Sequence, residues 1–335
     1  MLTSVDAAAA DRRPLVTVVI CVYNAGKYFR PSLQSVLDQT YQNLEIIVVD
    51  DGSTDGCIDT AADLLSEKRV RLLRQPNATK PVALNRALNL MTGEFYAIQD
   101  ADDISHPRRI ERQLQAMLDD PRLAAVFCGN ELILDDRTIA PVFAPKGEAA
   151  CRRDVEAFRM PAHDPTGMFR MALVGDLRYE PSLQVAETFD YILRVGERHP
   201  MIVLGECLYG YRILPNSLTR RAPSWREQFV TDALRRACER RGQTLESTCP
   251  DRLASERRSH NSRSDNNIAA HFMNSVIDQR QAANRLAALK TGLDCARLHP
   301  FDLHYYKALI YALVPLGLLA HLRRTALITS LGTRP

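Results

Sequence analysis

The stretch "FYAIQDADDIS", Phe95 to Ser105, passes from an apolar run into three carboxylates, Asp100, Asp102 and Asp103, interrupted by one alanine. The apolar part reads as a strand buried on both faces of a parallel sheet. Charge crowded at the end of such a strand is costly through repulsion and desolvation. Two readings account for it. One is a solvated acidic loop leading into a helix at "HPRR". The other is a divalent cation, Mn2+ or Mg2+, on hard oxygen ligands, completed by water and substrate phosphate oxygens. On an extended chain Asp100 and Asp102 share one face and Asp103 takes the other.

Upstream, "LVTVVICVYN" from Leu15 is a continuous β-branched run, and "LEIIVVDDGSTDG" is a second, ending in a polar, glycine-bearing turn. Between them, "AGKYFRPSLQSVLDQT" carries Phe29, Leu33, Val36 and Leu37 at helical spacing. "CIDTAADLLSEK" is expected as a helix, "RVRLLRQ" as a shorter strand, and "KPVALNRALNLMTGE" as a helix stopped by Gly93. Strands alternating with helices predict an α/β fold, a doubly wound sheet with right-handed crossovers that binds ligands beyond the carboxyl ends of its strands. "CVYN" at Cys21–Asn24, "DDGSTD" at Asp50–Asp55 and "DADD" at Asp100–Asp103 all fall at such ends. A single crevice can therefore collect all three.

Downstream, "HPRRIERQLQAMLDD" reads as a helix with Pro107 near its first turn, and "AAVFCGNELIL" as a strand. No element is expected from about Ala140 to Phe158. "HDPTGMFRMALV" resumes the pattern at His163, "AETFDYILRVGER" is an amphipathic helix, and "MIVLGECLYGYRI" is an apolar strand. Beyond Pro215 the pattern turns helical, over Trp225–Arg241 and Asn266–Lys290, with a polar linker over 242–265. The expected organisation is a flexible N-terminus over 1–14, an α/β domain over 15–220 and a helical region over 221–335.

The 335 residues are 46% hydrophobic and 25% charged, enough to bury a large core. A formal net charge of +3 is too mild to argue for a nucleic acid partner. The eight cysteines form no CxxC pair and no zinc spacing, which points to reduced thiols in a cytoplasmic protein. "MLTSVDAAAADRRP" lacks the basic and apolar regions of a secretory signal. "ALIYALVPLGLLAHL", Ala308–Leu322, contains Pro315 and falls short of the ~20 residues that span a bilayer. Flanked by Tyr305, Tyr306, Arg323 and Arg324, it reads either as a segment lying among headgroups at the cytoplasmic membrane face or as a packed helix.

Several polar residues have both a structural and a chemical reading. Asp50 and Asp51 cap the next helix, or accept hydrogen bonds from a nucleobase or ribose. Glu187 and Asp190, three apart at a helix start, follow the macrodipole preference, or one of them is a general base. His163 and Asp164 form a pair of either kind, and Arg212 and Ser217 in "YRILPNSLT" face solvent or reach a phosphate. A phosphate-binding glycine loop of the kind a nucleotidyltransferase needs is not supplied by "YNAGKYF".

"VTVVICVYNAGKYFRPSLQSVLDQTYQNLEIIVVDDGSTDG", "ALNRALNLMTGEFYAIQDADDISHPRRIERQL", "TGMFR", "ETFDYILRV" and "YRILPNSLT" occur in the order and spacing of family 2 glycosyltransferases, which the chain resembles over about 15–220. The resemblance implies a GT-A fold, Rossmann-like and mostly parallel, with a nucleotide-binding half over about 15–103, an acceptor half over 104–220 and a helical C-terminal extension. It implies inverting, metal-dependent transfer of a sugar from a nucleotide diphosphate donor to a hydroxyl of a glycan or lipid-linked acceptor. Tyr23, Asn24, Asp50 and Asp51 then resemble the nucleoside contacts, and Asp100 and Asp102 the DxD signature, Asp102 on the metal and Asp100 near both metal and ribose. Glu187 or Asp190 resembles the base, His163 and Asp164 the acceptor strip, and Arg212 a loop that closes on the diphosphate. Lys80 is a further phosphate candidate. The chain departs from the pattern at Cys21 for a proline, at Thr188 for the aspartate most often assigned as base, and at Leu214 for a histidine. A non-catalytic relative that binds nucleotide sugar or glycan is the alternative.

Overall fold

Four strands, β1 (Val16–Val22), β2 (Leu44–Asp50), β3 (Val70–Arg74) and β4 (Phe95–Asp100), run parallel in the order β3-β2-β1-β4. Alternate residues go to opposite faces, as a period of two requires. Val18, Ile20 and Ile46 pack with Phe29, Leu33 and Val36 of α1 (Phe29–Leu37), while Val19, Ile47 and Val49 pack with Ala83, Leu84 and Leu88 of α2 (Lys80–Leu90). Both faces of these strands are therefore covered, which is why they read as unbroken apolar runs. The computed structural model describes residues 13–134, 137–142, 145–214, 223–248, 266–281, 284–298 and 300–314.

Beyond β4 the sheet becomes mixed. The described strands β5 (Ile104–Ser105), β6 (Ala125–Leu134), β7 (Arg137–Val142), β8 (Met168–Arg170) and β9 (Met201–Arg212) extend the order as β4-β8-β6-β9-β5, with β7 on β6. Short β8 runs antiparallel to both β4 and β6, whereas β6 and β9 are parallel. Helix α3 (Arg109–Asp119) covers one face through Ile110, Leu114 and Met117. Helices α4 (Glu148–Glu156) and α5 (Glu187–Gly196) cover the other through Cys151, Val155, Tyr191, Leu193 and Val195.

At the C-terminus, α6 (Pro223–Arg240) adds Leu234, Ala237 and Cys238 to the core under α5. Helices α7 (Asn266–Gln281), α8 (Arg285–Leu298) and α9 (Tyr306–Leu313) form another cluster, built on Phe272, Val276, Cys295 and Tyr305 and seated on Leu132 and Ile213 of the sheet side. No described helix is long and apolar enough to cross a membrane.

Several local expectations are corrected. "CIDTAADLLSEK" yields only a 3-10 turn and a single helical turn at Ala62–Leu65. Helix α4 lies where no element was expected, because its buried face consists of Cys151 and Val155 alone, too little to register as periodicity. The run expected as one helix over Asn266–Lys290 breaks between α7 and α8, and the linker over 242–265 includes a helical turn at Leu245–Thr248 before it leaves the described residues. Gly93 does not stop α2, which ends at Leu90 on extended Met91; a Cβ at Gly93 would lie 2.7 Å from Thr17 N, so the glycine serves close passage beside β1. Residues 1–12 and Ser217 lie outside the described residues.

Candidate active site

The central strands end flush. Val22 is in register with Asp50 on β2 and Cys21 with Asp100 on β4, so Tyr23, Asp50–Asp51 and Asp100–Asp103 leave the sheet at one level.

On the β2 side the carboxylates hold loops. Asp50 Oδ1 accepts from Ser53 N at 2.9 Å. Asp51 accepts from Gln75 Nε2 at 2.7 Å, Ala78 N at 2.9 Å and Thr79 N at 3.1 Å. Asn24, at φ 50°, accepts from Thr54 N at 2.8 Å through Oδ1. Gly52, at φ +81°, lets these loops touch, since a Cβ there would sit 2.9 Å from Asn77 N. Thr79 has φ 82°, a conformation costing about 1–3 kcal/mol in a non-glycine residue and kept only where the surroundings impose it. Asp50 and Asp51 are buried, and Tyr23 beside them is 52% exposed.

The strained turn delivers Lys80 to the first residue of α2. A cation there opposes the helix dipole, and carboxylates supply the compensation. Lys80 Nζ donates to Asp100 Oδ1 at 2.7 Å. Burial alone would depress the ammonium, but Asp100, Asp164 and Glu187 together hold it well above its ordinary pKa. Burial pushes the Cys21 thiol up, with Asp100, Asp51 and Glu187 adding to it against Lys80.

The chain turns directly after Asp100, so strict alternation does not extend through the acidic cluster. Asp103 is fully buried and accepts from Arg212 N at 2.7 Å. The Asp102 carboxyl is pushed up to about 6, first by burial and then by the charge of Asp100. Arg212 is not on a loop: it closes β9, is 8% exposed, donates from Nε to the Asp102 carbonyl at 2.8 Å, and lies over the Tyr28 ring at 4.8 Å.

Glu187, Thr188 and Asp190 begin α5, and their fates differ. Glu187 is buried and its carboxyl is pushed up to about 7, by burial first, with Asp164 and Asp100 adding to it against Lys80. Thr188 Oγ1 donates to Asp164 Oδ2 at 2.8 Å, and His163 Nδ1 lies 3.4 Å from Asp164 Oδ1. Asp190 accepts from Arg194 Nε at 2.8 Å and Arg240 Nη1 at 2.9 Å, which tie α5 to α6. Thus Lys80, Asp100, Asp164 and Glu187 are brought together, and Asp190 is engaged elsewhere.

One supporting residue was missed from the sequence. Arg109 is fully buried and donates to Ser105 Oγ, Gln99 Oε1, Gln113 Oε1, the Ile98 carbonyl and the Pro165 carbonyl, at 2.6–3.2 Å. It joins the end of β4 to the turn that carries Asp164. Nothing in "HPRRIER" separates it from exposed Arg108; only the i, i+4 spacing to buried Gln113 hints at its side of the helix. Among the described residues, no group of three or more His, Cys, Asp or Glu side chains is arranged to hold a metal ion, and the seven described cysteines are free thiols.

The sequence model described as Glycosyl transferase family 2 matches residues 17–155. Glycosyltransferase GlyG of Streptococcus pneumoniae serotype 4 is 33% identical over 180 residues, 53% of this chain and 56% of that protein, so the chain spans about half the length of this curated relative. Among solved structures, S. aureus TarS 1-349 in complex with UDP-GlcNAc superposes with TM-score 0.56 at 15% identity, covering 88% of this chain and 90% of that one. The mannosyltransferase PcManGT from Pyrobaculum calidifontis, in complex with GDP-Man and Mn2+, superposes with TM-score 0.50 at 19% identity, covering 95% and 81%. The structural likeness is one of fold, a GT-A-like mixed sheet flanked by helices. Over residues 17–155 the chain is thus similar to glycosyl transferases of family 2, and the fold around that stretch is GT-A-like.

Proposed function

We propose that the chain is an inverting glycosyltransferase. It takes a sugar from a nucleoside diphosphate donor, with Mn2+ or Mg2+, and passes it to a hydroxyl of a glycan or lipid-linked acceptor in cell-surface polysaccharide or glycolipid synthesis. The observation that carries this reading is the flush ending of β1, β2 and β4 beside a buried cluster of Lys80, Asp100, Asp164 and Glu187. The UDP-GlcNAc of TarS and the GDP-Man of PcManGT support the donor class. In this reading Tyr23, Asn24, Asp50 and Asp51 border the nucleoside, Asp51 through the loop it holds, and Lys80 offsets phosphate charge.

Asp100 and Asp102 suit a hard divalent cation: both are carboxylates, and Asp102 has no ion pair among the described residues although burial and Asp100 disfavour its charge. Two protein ligands leave the other positions to water and diphosphate, which agrees with the absence of a larger ligand cluster among the described residues. A bound cation would stabilise the charge that develops on the departing diphosphate. Arg212 keeps the acidic turn in place and adds positive charge at its edge. His163 and Asp164 border the acceptor. Displacement from the opposite face asks for one carboxylate to take the acceptor proton, unlike a glycosidase with its two. The cluster offers Glu187 and Asp164, since Asp190 is held by two guanidinium groups.

In this reading α6, beyond the boundary expected near 220, still packs in the core under α5, while α7 to α9 are an accessory region. On it Phe301, Leu303, Ile310 and Leu313 are exposed, and exposed Lys290 and Arg297 alternate with Leu286 and Leu293 along α8. Such a surface suits peripheral contact with an anionic, cytoplasmic membrane face. The segment Ala308–Leu322 expected to make that contact leaves the described residues after Val314.

The test is a thermal-shift panel of nucleoside diphosphate sugars with and without Mn2+. One donor is expected to raise the melting temperature, more with Mn2+, and Asp102→Ala to remove the metal-dependent part. A panel without any shift would refute the reading. The hydroxyl of Thr188, at the start of α5, favours a second reading, a non-catalytic relative that binds nucleotide sugar or glycan beside another enzyme. Donor binding with no nucleoside diphosphate release would support that one.

A further inference from the structure

Four carboxylates stand on or beside α5 and α2, and their partners sort them. Asp100 is paired with Lys80, and Asp190 with Arg194 and Arg240. Glu187 is 4% exposed, so an acceptor hydroxyl has little room to reach its oxygens. Asp164 differs from all three. Its side chain is 19% exposed, and one oxygen, Oδ2, is fixed by the Thr188 hydroxyl at 2.8 Å. Its other oxygen, Oδ1, faces His163 at 3.4 Å, longer than a made hydrogen bond between such groups.

The backbone fixes this carboxylate as well. Asp164 opens a 3-10 turn, Asp164–Thr166, in which Thr166 N and Thr166 Oγ1 both donate to the His163 carbonyl. Buried Arg109 donates to the Pro165 carbonyl at 2.6 Å, and Gln113 to the Thr166 carbonyl at 2.7 Å. A rigid turn that anchors one oxygen of a carboxylate whose side chain is still 19% exposed is the arrangement a proton acceptor needs.

We propose that Asp164 is the general base of this site, with Thr188 as its positioning residue, and that Glu187 does not take the proton. The assignment rests on the glycosyl-transfer reading above. In the step, the acceptor oxygen bonds to the anomeric carbon, and the bond from that carbon to the diphosphate oxygen breaks with its electron pair leaving on the diphosphate. The hydroxyl proton passes to Asp164. The charges agree: burial raises the Asp164 carboxyl, but His163, Lys80 and the Thr188 hydroxyl outweigh it and leave the group below its ordinary pKa, ionised at neutral pH. Glu187, facing Lys80, Asp164 and Asp100, stays largely protonated below about 7.

The experiment follows nucleoside diphosphate release from UDP-GlcNAc and GDP-mannose with Mn2+, water serving as acceptor, beside donor binding by calorimetry. Asp164→Asn is expected to lose about 10²- to 10⁴-fold in release while binding donor as the native protein does. Thr188→Val is expected to lower kcat about tenfold and move the acid limb of the rate profile upward, with Thr188→Ser restoring both, because the hydroxyl favours the ionised carboxylate. A limb near pH 7 that vanishes in Glu187→Gln, with Asp164→Asn within threefold of native, overturns the assignment. So does a native protein that binds donor and releases nothing. Failure of the underlying reading looks different: neither donor binds at all.

Discussion

Lys80 Nζ lies 2.7 Å from Asp100 Oδ1, and the same ammonium offsets the charges of Asp164 and Glu187. One cation on the first turn of α2 thus serves carboxylates that arrive from β4, from the turn before β8 and from α5. Its loss leaves three acids together in a largely desolvated place.

Lys80→Met is therefore expected to destabilise the protein by about 1–3 kcal/mol at pH 8, less than a fully buried pair because both side chains are about a quarter exposed. The loss shrinks toward pH 5, where Glu187 has taken up its proton and part of the repulsion is gone. Urea melts at the two pH values check this. An equal loss at both would mean the lysine acts through packing alone.

Glu187 contributes with the opposite sign from an ion-paired acid. Its folded pKa, about 7, stands above the unfolded value, so the native state binds the extra proton and stability falls as pH rises from about 4.5 to about 7. Glu187→Gln removes that dependence. In metal-free protein its stability relative to native is expected to grow across this window, by on the order of 2–3 kcal/mol, and to level off above it. A gap that does not change with pH would contradict the burial of an ionisable carboxyl there.

Adjacent arginines should respond unequally. Arg109→Met strands several buried acceptors and is expected to cost about 3 kcal/mol or more, with Asp164 displaced as the Pro165 turn loosens. Arg108 makes an exposed pair with Glu111, so Arg108→Ala should stay within about 0.5 kcal/mol. Denaturant midpoints of the two variants decide the comparison.

Membrane contact through the C-terminal helices can be read by co-sedimentation with vesicles. Binding is expected to anionic but not zwitterionic vesicles, to weaken as salt rises, and to fall several-fold in Phe301→Ser with Leu303→Ser. Unchanged sedimentation of that double variant would remove this surface from consideration.

Much of this molecule is legible in its sequence. The β-branched runs of β1, β2 and β4 are continuous because helices cover both faces, and the acidic and polar clusters mark where those strands end. What failed was mostly weakly patterned. Helix α4 buries two residues, and the single turn at Ala62–Leu65 occupies a stretch that looks helical for three times its length. The resemblance placed Arg212 on a loop, whereas the apolar run "MIVLGECLYGYRI" already contained it, and β9 runs up to and including it.

The sequence by itself determined the alternation of strands and helices around β1, the resemblance to family 2 glycosyltransferases, and the set of carboxylates from which a site could be made. Tertiary structure alone decided what each carboxylate does: Asp51 holds a strained loop, Asp103 caps the end of β9, Asp190 joins α5 to α6, and Asp164 meets Thr188. The physical reason is range. Periodicity reports neighbours three or four residues apart, whereas the Asp164–Thr188 contact closes 24 residues and Asp190–Arg240 closes 50. Burial and charge pairing, which set the chemistry of an acid, exist only once those distant partners have met.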